Sequence, residues 1–196
     1  LTLTNVQASD AGTYVCKAKH NGEITEIPTT LVVTGAIPFF PQSPNSYMKF
    51  PKLDQAYSKF NFEITFRPER PDGLILYNGQ RLSGGDYIAL SLVEGFPQFR
   101  YSFGDQNGVL TPEKALSLGE WHTIRVNRVR TNGWMIVDDQ DPVIFPPNQK
   151  FQGLNLEEEL YLGSVPEFEH VPSAASEVRK GFVGCISRLV LQERDI

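Results

Sequence analysis

Apolar residues recur at every second position through much of this chain, the period expected of half-buried strands. The pattern is clearest in the stretch DYIALSLVEGFPQFRYSFG, residues 86–104. Folded into a hairpin about Glu94-Gly95, it sets Leu92 against Pro97, Leu90 against Phe99 and Ile88 against Tyr101 on one face. Ser91, Gln98 and Arg100 then point the other way, which predicts a half-buried antiparallel pair on a core. A tight type I′ turn prefers Asn-Gly or Asp-Gly to Glu-Gly, and a bulged turn would shift this register by one. At the open end Asp86 faces Phe103, bringing a carboxylate and a backbone carbonyl into one corner. Two hard oxygen ligands so placed can start a calcium site.

The same period marks the other strands. Phe60, Phe62, Ile64 and Phe66 share a face, and the RPERPDG stretch after them is a turn by composition. Leu74-Ile75-Leu76-Tyr77 is a short apolar strand ending at Asn78-Gly79. From Trp121 to Val129, Ile124 and Val126 alternate with Thr123, Arg125 and Asn127. Asn132-Gly133 reads as the hairpin turn, with Trp134 to Val137 returning. Glu159 to Gly163, Gly181 to Ile186 and Leu189 to Leu191 complete the set. No sustained helical stripe competes with these strands, so the fold class is all-β, a β-sandwich.

Residues 36–46, AIPFFPQSPNS, combine prolines with polar residues and carry no period. They read as a stiff linker from which Phe39 and Phe40 can dock on the adjoining larger domain. The chain therefore divides into residues 1–35, a linker over 36–46, and that larger domain over 47–196. Its 196 residues suit one large β domain plus a piece of another, and 14 prolines with 16 glycines favour many short strands and turns. The chain starts inside a strand-like pattern with no signal peptide, as if cut from a longer protein. A net charge of −5 provides no basic field for nucleic acid or an anionic membrane. No apolar run approaches a membrane span. The two cysteines, Cys16 and Cys185, read alone as buried free thiols, as one bridge, or as two half-disulfides with partners elsewhere.

In the first unit, Asp10-x-Gly12-x-Tyr14-x-Cys16 carries the tyrosine-corner spacing and resembles the E, F and G strands of an immunoglobulin-like domain. That resemblance implies that Cys16 pairs with a B-strand cysteine absent from this chain. In the larger domain, Phe62-x-Ile64-x-Phe66-Arg67-Pro68, Gly73-Leu74-Ile75-Leu76-Tyr77-Asn78-Gly79 and Asp86-Tyr87-Ile88-Ala89-Leu90-x-Leu92 occur in order. Phe99-x-Tyr101, Leu118-Gly119-x-Trp121-His122, Leu160-Tyr161-Leu162-Gly163 and Gly181-Phe182-x-Gly184-Cys185-Ile186 come after them. Together they resemble a laminin G-like domain. The resemblance implies a curved jelly-roll β-sandwich, a disulfide from Cys185 to a later cysteine, and secretion into extracellular matrix or basement membrane.

The family's rim calcium site, carried over residue by residue, implies Asp86, the Phe103 carbonyl, Asn155 and the Gly153 carbonyl as Ca2+ ligands. Many members carry aspartate where this chain has Asn155, so one charged ligand remains and a weak site is expected. The resemblance also implies partners: receptor glycans of the dystroglycan type, heparin or heparan sulfate, or other matrix proteins. The basic residues available for acidic sugar are Arg125, Arg128, Arg130, Arg179 and Lys180, with Arg128 and Arg130 expected on one strand face. Scattered solubilising charge is the plainer account of them. A structural spacer, or a small hydrophobic-ligand pocket between the sheets, are the alternative functions. Enzyme readings find no support: HExxH and GxSxG are absent, and Glu167 and Glu169 fall in a Pro-rich loop, not on a concave strand face.

Overall fold

A computed structural model of the chain describes residues 12–20, 22–31, 37–80, 85–103, 106–146 and 153–196. The chain forms two compact units, Leu1–Ile37 and Pro38–Ile196. In the first, β1 (Gly12–His20) and β2 (Glu23–Leu31) make an antiparallel hairpin in which Tyr14 faces Thr29 and Cys16 faces Ile27. Tyr14 and Val15, neighbours on opposite faces of β1, are both exposed, as are Ile24 and Ile27 of β2. Two strands alone bury neither face. Asp10, the first residue of the tyrosine-corner spacing, lies outside the described residues.

The second unit contains β3 (Phe39–Phe40), β4 (Met48–Phe50), β5 (Lys59–Pro68), β6 (Gly73–Gly79), β7 (Tyr87–Val93), β8 (Phe96–Phe103) and β9 (Gln106–Leu110). It continues with β10 (His122–Val129), β11 (Asn132–Val137), β12 (Val143–Ile144), β13 (Leu160–Leu162), β14 (Gly184–Leu191) and β15 (Arg194–Asp195). One antiparallel sheet runs β12-β11-β10-β5-β14-β15, with β3 also on β14; the other runs β4-β13-β6-β7-β8-β9. Phe60, Phe62, Ile64 and Phe66 of β5, with Ile124 and Val126 of β10, meet Ile88, Leu90, Leu92, Phe99 and Tyr101 of the facing sheet in one core. Each such fully buried side chain stabilises the fold by about 1.5–3 kcal/mol. Phe99 is the hub, its ring 6.1 Å from Phe60, 5.7 Å from Phe62 and 6.1 Å from both Tyr101 and Phe145. No helix among the described residues is long and apolar enough to cross a membrane.

The hairpin of β7 and β8 has the expected register, with Leu92 on Pro97, Leu90 on Phe99 and Ile88 on Tyr101. Its turn is the tight primed one despite the glutamate: Glu94 and Gly95 have φ of 52° and 83°. The left-handed conformation of Glu94 costs about 1–2 kcal/mol. Hydrogen bonds from the 71–72 turn offset it. The Glu94 amide donates to Asp72 Oδ1 at 2.7 Å and the Gly95 amide to the Pro71 carbonyl at 2.7 Å. The Glu94 amide is also the main cause of a lowered Asp72 pKa.

Three expectations are corrected. One strand of the hairpin is not half-buried: β7 is buried through Leu92, beside a β6 buried along its whole length, whereas β8 alternates from Phe96 to Arg100 as expected. A bulge between Leu74 and Leu76 turns Ile75 and Leu76 together into the main core. Leu74 and Tyr77 point out with Tyr87 and Ala89, where Val165, Val171 and Ala175 of a strap over residues 164–180 cover them. The β10–β11 turn is Arg130-Thr131, since Val129 pairs with Asn132 and Arg128 with Gly133. Gly133 serves close approach instead: a Cβ there would lie 2.8 Å from the Phe145 ring and 2.6 Å from the Asn127 carbonyl. Finally, the boundary falls inside the 36–46 segment, after Ile37, and from Pro38 onward the segment is part of the second unit and not a linker, with Phe40 docked as expected. Phe40 is buried and paired to Gly184, and the Gln42 carboxamide donates to the Gly163 and Phe182 carbonyls at 3.1 and 3.0 Å. Prolines erased the period there, while two side chains supplied the attachment.

Candidate functional site

Asp86 immediately precedes β7 and, by register, stands opposite Phe103. Directly opposed residues of an antiparallel pair share a face, so the Asp86 carboxylate turns toward the same side as the buried Phe103 ring. Asp86 is only 5% exposed. Its Oδ2 accepts the Asn155 backbone N–H at 2.7 Å, joining segments 69 residues apart. The 153–158 segment is itself fixed on several sides. The Leu154 amide donates to the Tyr57 carbonyl at 3.0 Å, and the Glu157 and Glu158 amides donate to the Gly79 carbonyl at 3.2 and 3.0 Å. Gly153 packs so closely on the Tyr57 ring that a Cβ would overlap it.

Asn78 holds this segment from below. It is fully buried in β6; its Nδ2 donates to the Glu158 carbonyl at 2.7 Å and its Oδ1 accepts the Leu53 amide at 3.0 Å. Asn78→Ala leaves both backbone groups unsatisfied and is expected to lower unfolding free energy by about 2–3 kcal/mol, read from the urea midpoint. A loss under about 0.5 kcal/mol would show that water replaces the carboxamide.

The corner also contains a cation that its residue type had assigned to a sugar-binding surface. Arg128 is fully buried, its guanidinium 4.0 Å from the Phe103 ring centroid and 5.8 Å from that of Phe60. Nη1 donates to the Tyr57 carbonyl at 3.4 Å. Burial pushes its pKa down to about 10, and the Asp86 charge pulls it back up. Arg128 therefore stays cationic at neutral pH and is a counter-charge to the rim carboxylate. The signal was in the alternation: Ile124 and Val126 face inward, so Arg128 does too.

These contacts bear on calcium. The donor types suit it: one carboxylate, the exposed Asn155 side chain and backbone carbonyls are all hard oxygens. The charge is poor, because Asp86 already accepts an amide and lies within the field of a buried guanidinium. Among the described residues no three His, Cys, Asp or Glu side chains group as metal ligands. The corner fits calcium as a weak site.

The other predicted residues are not gathered into one grip. Arg125 projects from the outer face of β10 and pairs with Glu63 at 2.7 Å. Arg128 is buried and Arg130 sits in the turn beyond β10, so the expected shared face does not form. Arg179 Nη1 donates to the Phe168 and Val171 carbonyls at 3.0 and 2.7 Å, and Lys180 pairs with Asp72 at 3.2 Å. Cys16 and Cys185 are free thiols in this structure, Cys16 exposed and Cys185 half-buried with Arg67 Nη2 3.6 Å from its sulfur.

A profile of the laminin G domain matches residues 66–194. The chain belongs to the laminin G domain family. It is 40% identical over 204 residues to the mouse basement membrane-specific heparan sulfate proteoglycan core protein, perlecan, covering 100% of this chain and 5% of that protein. It is 35% identical to human pikachurin, covering 100% of this chain and 19% of pikachurin. The chain thus spans a small part of the curated relatives it matches. Among solved structures, the mouse laminin α1 chain domains LG4-5 superpose with a TM-score of 0.71 at 26% identity, covering 83% of this chain and 43% of that one. Laminin G domains of matrix proteins are non-enzymatic binding modules, and this one is a secreted, extracellular-matrix binding module.

Proposed function

We propose that this domain binds acidic receptor glycans or matrix proteins through the rim built on Asp86 and Asn155, as part of a perlecan-like basement-membrane proteoglycan. The observation that carries this reading is the 2.7 Å bond from the Asn155 amide to the Asp86 carboxylate, which brings both oxygen-bearing residues to one corner. Asp86, the Asn155 side chain and the carbonyls of Phe103 and Gly153 would hold a calcium ion. When bound, calcium supplies a positive centre for sugar carboxylates. With one carboxylate beside Arg128, the affinity belongs with extracellular modules, on the order of 10⁻⁴–10⁻³ M. Such a site is occupied at the calcium concentrations outside cells and is not a folding requirement. The first unit is the end of an immunoglobulin-like domain in this reading, and Cys16 and Cys185 pair with cysteines outside the chain.

Calcium titration followed by amide NMR tests the rim. The parent is expected to respond saturably at amides near residues 86, 103 and 153–155. Asn155→Asp adds a second carboxylate and should tighten binding about tenfold. The double variant Asp86→Asn/Arg128→Met, which removes both buried charges together, should show no saturable response. An unaltered midpoint in both variants sinks the assignment. Solid-phase binding to dystroglycan-type acidic glycan, with and without chelator, then separates a binding rim from a spacer domain.

A further inference from the structure

A turn over residues 54–58, just before β5, runs beside the rim. Its main chain is tied to that corner. The Tyr57 carbonyl accepts the Leu154 amide at 3.0 Å and Arg128 Nη1 at 3.4 Å, and the Ser58 carbonyl accepts the Arg130 amide at 2.6 Å. The Tyr57 side chain is placed as firmly. A Cβ at Gly153 would overlap Cε2 and Cζ of the ring, so the bare Cα of Gly153 is what seats it. Gly153 contributes a carbonyl to the proposed calcium corner, and Asn155 stands two residues on, within about 7 Å of chain. The phenol ring therefore borders the oxygen-bearing corner itself.

Tyr57 is nevertheless 61% exposed, the most exposed aromatic residue among those described. Single exposed apolar side chains are common on protein surfaces and by themselves signify nothing. Tyr57 differs in being held from one side, against a residue of the corner, with the rest of its ring open. Asp54, Gln55, Ser58 and Lys59 around it in the chain are exposed and polar, so the turn offers one ring and no apolar patch. A protein partner buries a contiguous apolar core. One flat ring in polar surroundings suits instead a sugar, whose apolar C–H face is edged by hydroxyls. A ring already fixed also loses little freedom on binding.

We propose that Tyr57 is the stacking residue of the rim, the one that selects a pyranose glycan over an acidic peptide. The inference rests on the calcium-bearing rim reading above. A glycan with a uronate carboxylate at the Asp86–Asn155 corner lays a pyranose ring over Tyr57, C–H face on the phenol. Local charge does not set this second contact. Asp54 and Lys59 of the same stretch are of opposite sign, as are exposed Arg130 and Glu157 on the two segments bound to it. The corner reads the carboxylate and Tyr57 reads the ring.

Amide NMR on the whole chain tests this with a hyaluronan tetrasaccharide, which alternates a uronate with an uncharged pyranose. Hexaglutamate serves as a polycarboxylate without sugar rings. Each variant is first titrated with calcium and then held in excess calcium. In the parent the tetrasaccharide is expected to shift amides at residues 56–59 and 153–155, with NOEs from its C–H protons to the Tyr57 ring. Tyr57→Leu, which keeps an apolar contact for Gly153, should weaken tetrasaccharide binding about three- to tenfold and leave hexaglutamate binding unchanged. Tyr57→Phe keeps the ring and should bind both probes as the parent does. The proposal is overturned if Tyr57→Leu binds the tetrasaccharide as the parent does, if both probes weaken together, or if the tetrasaccharide does not bind. Sugar NOEs to Tyr57 without a calcium response at residues 86, 103 and 153–155 would uphold the stacking and sink the rim reading. A calcium response with sugar binding indifferent to Tyr57→Leu would do the reverse.

Discussion

Arg128→Met is expected to lower the unfolding free energy by about 3–5 kcal/mol, because it removes the buried cation whose charge offsets that of Asp86. The guanidinium is wholly inside, flat on Phe103, and Asp86 at 5% exposure has little water to turn to once it is gone. Methionine fills much of the volume, so the loss reports charge more than cavity. The second variant makes the experiment decisive. Asp86→Asn/Arg128→Met removes both charges, retains an acceptor for the Asn155 amide, and should recover most of the loss, since replacing a whole buried pair is often neutral. Urea midpoints at unchanged m give the two differences and the coupling between them. If Arg128→Met is near neutral, Asp86 does not depend on Arg128, and the weak calcium affinity expected at the rim loses its reason.

Phe99→Ala should cost a comparable amount, about 3–5 kcal/mol, by a different route. Phe99 touches the rings of Phe60 and Phe62 from the opposite sheet, Tyr101 from its own strand and Phe145 beyond β12. Phe60, Phe62 and Tyr101 are held in hydrogen-bonded strands and cannot close over the cavity, so little of the loss is recovered by relaxation. Phe99→Leu, which keeps much of the volume, should lose about 1.5 kcal/mol or less. Equal losses for alanine and leucine would mean that ring geometry, not filled volume, holds the two sheets together.

How far the sequence could be read differs from element to element for physical reasons. The β7–β8 register was legible because alternation in both strands agreed about one hairpin, and a one-residue slip would have turned every apolar side chain outward. The burial of the far face of β7 was not legible. It depends on a strap that reads as a Pro-rich loop and whose contacts with Ser91 and Arg100 are distant in sequence. Asn132-Gly133 misleads because glycine serves two purposes, left-handed turns and close contact, and here Phe145 demands the second. At the rim, Asp86 and Phe103 followed from strand pairing, whereas Asn155 came only through family resemblance. Arg128 misleads because a charged residue is ordinarily expected to face solvent, although its place in the Ile124–Val126 alternation points inward.

The strap has a consequence for how such a domain diversifies. Arg179, Arg100 and Asn45 secure it chiefly by donating to its main-chain carbonyls, groups that every residue type offers. Substitutions at Glu167 or His170, whose exposed side chains project from the strap, therefore need not disturb its path. The strap behaves as a replaceable cassette on a fixed mount. Side chains on the strap can change there while the two sheets beneath keep their packing.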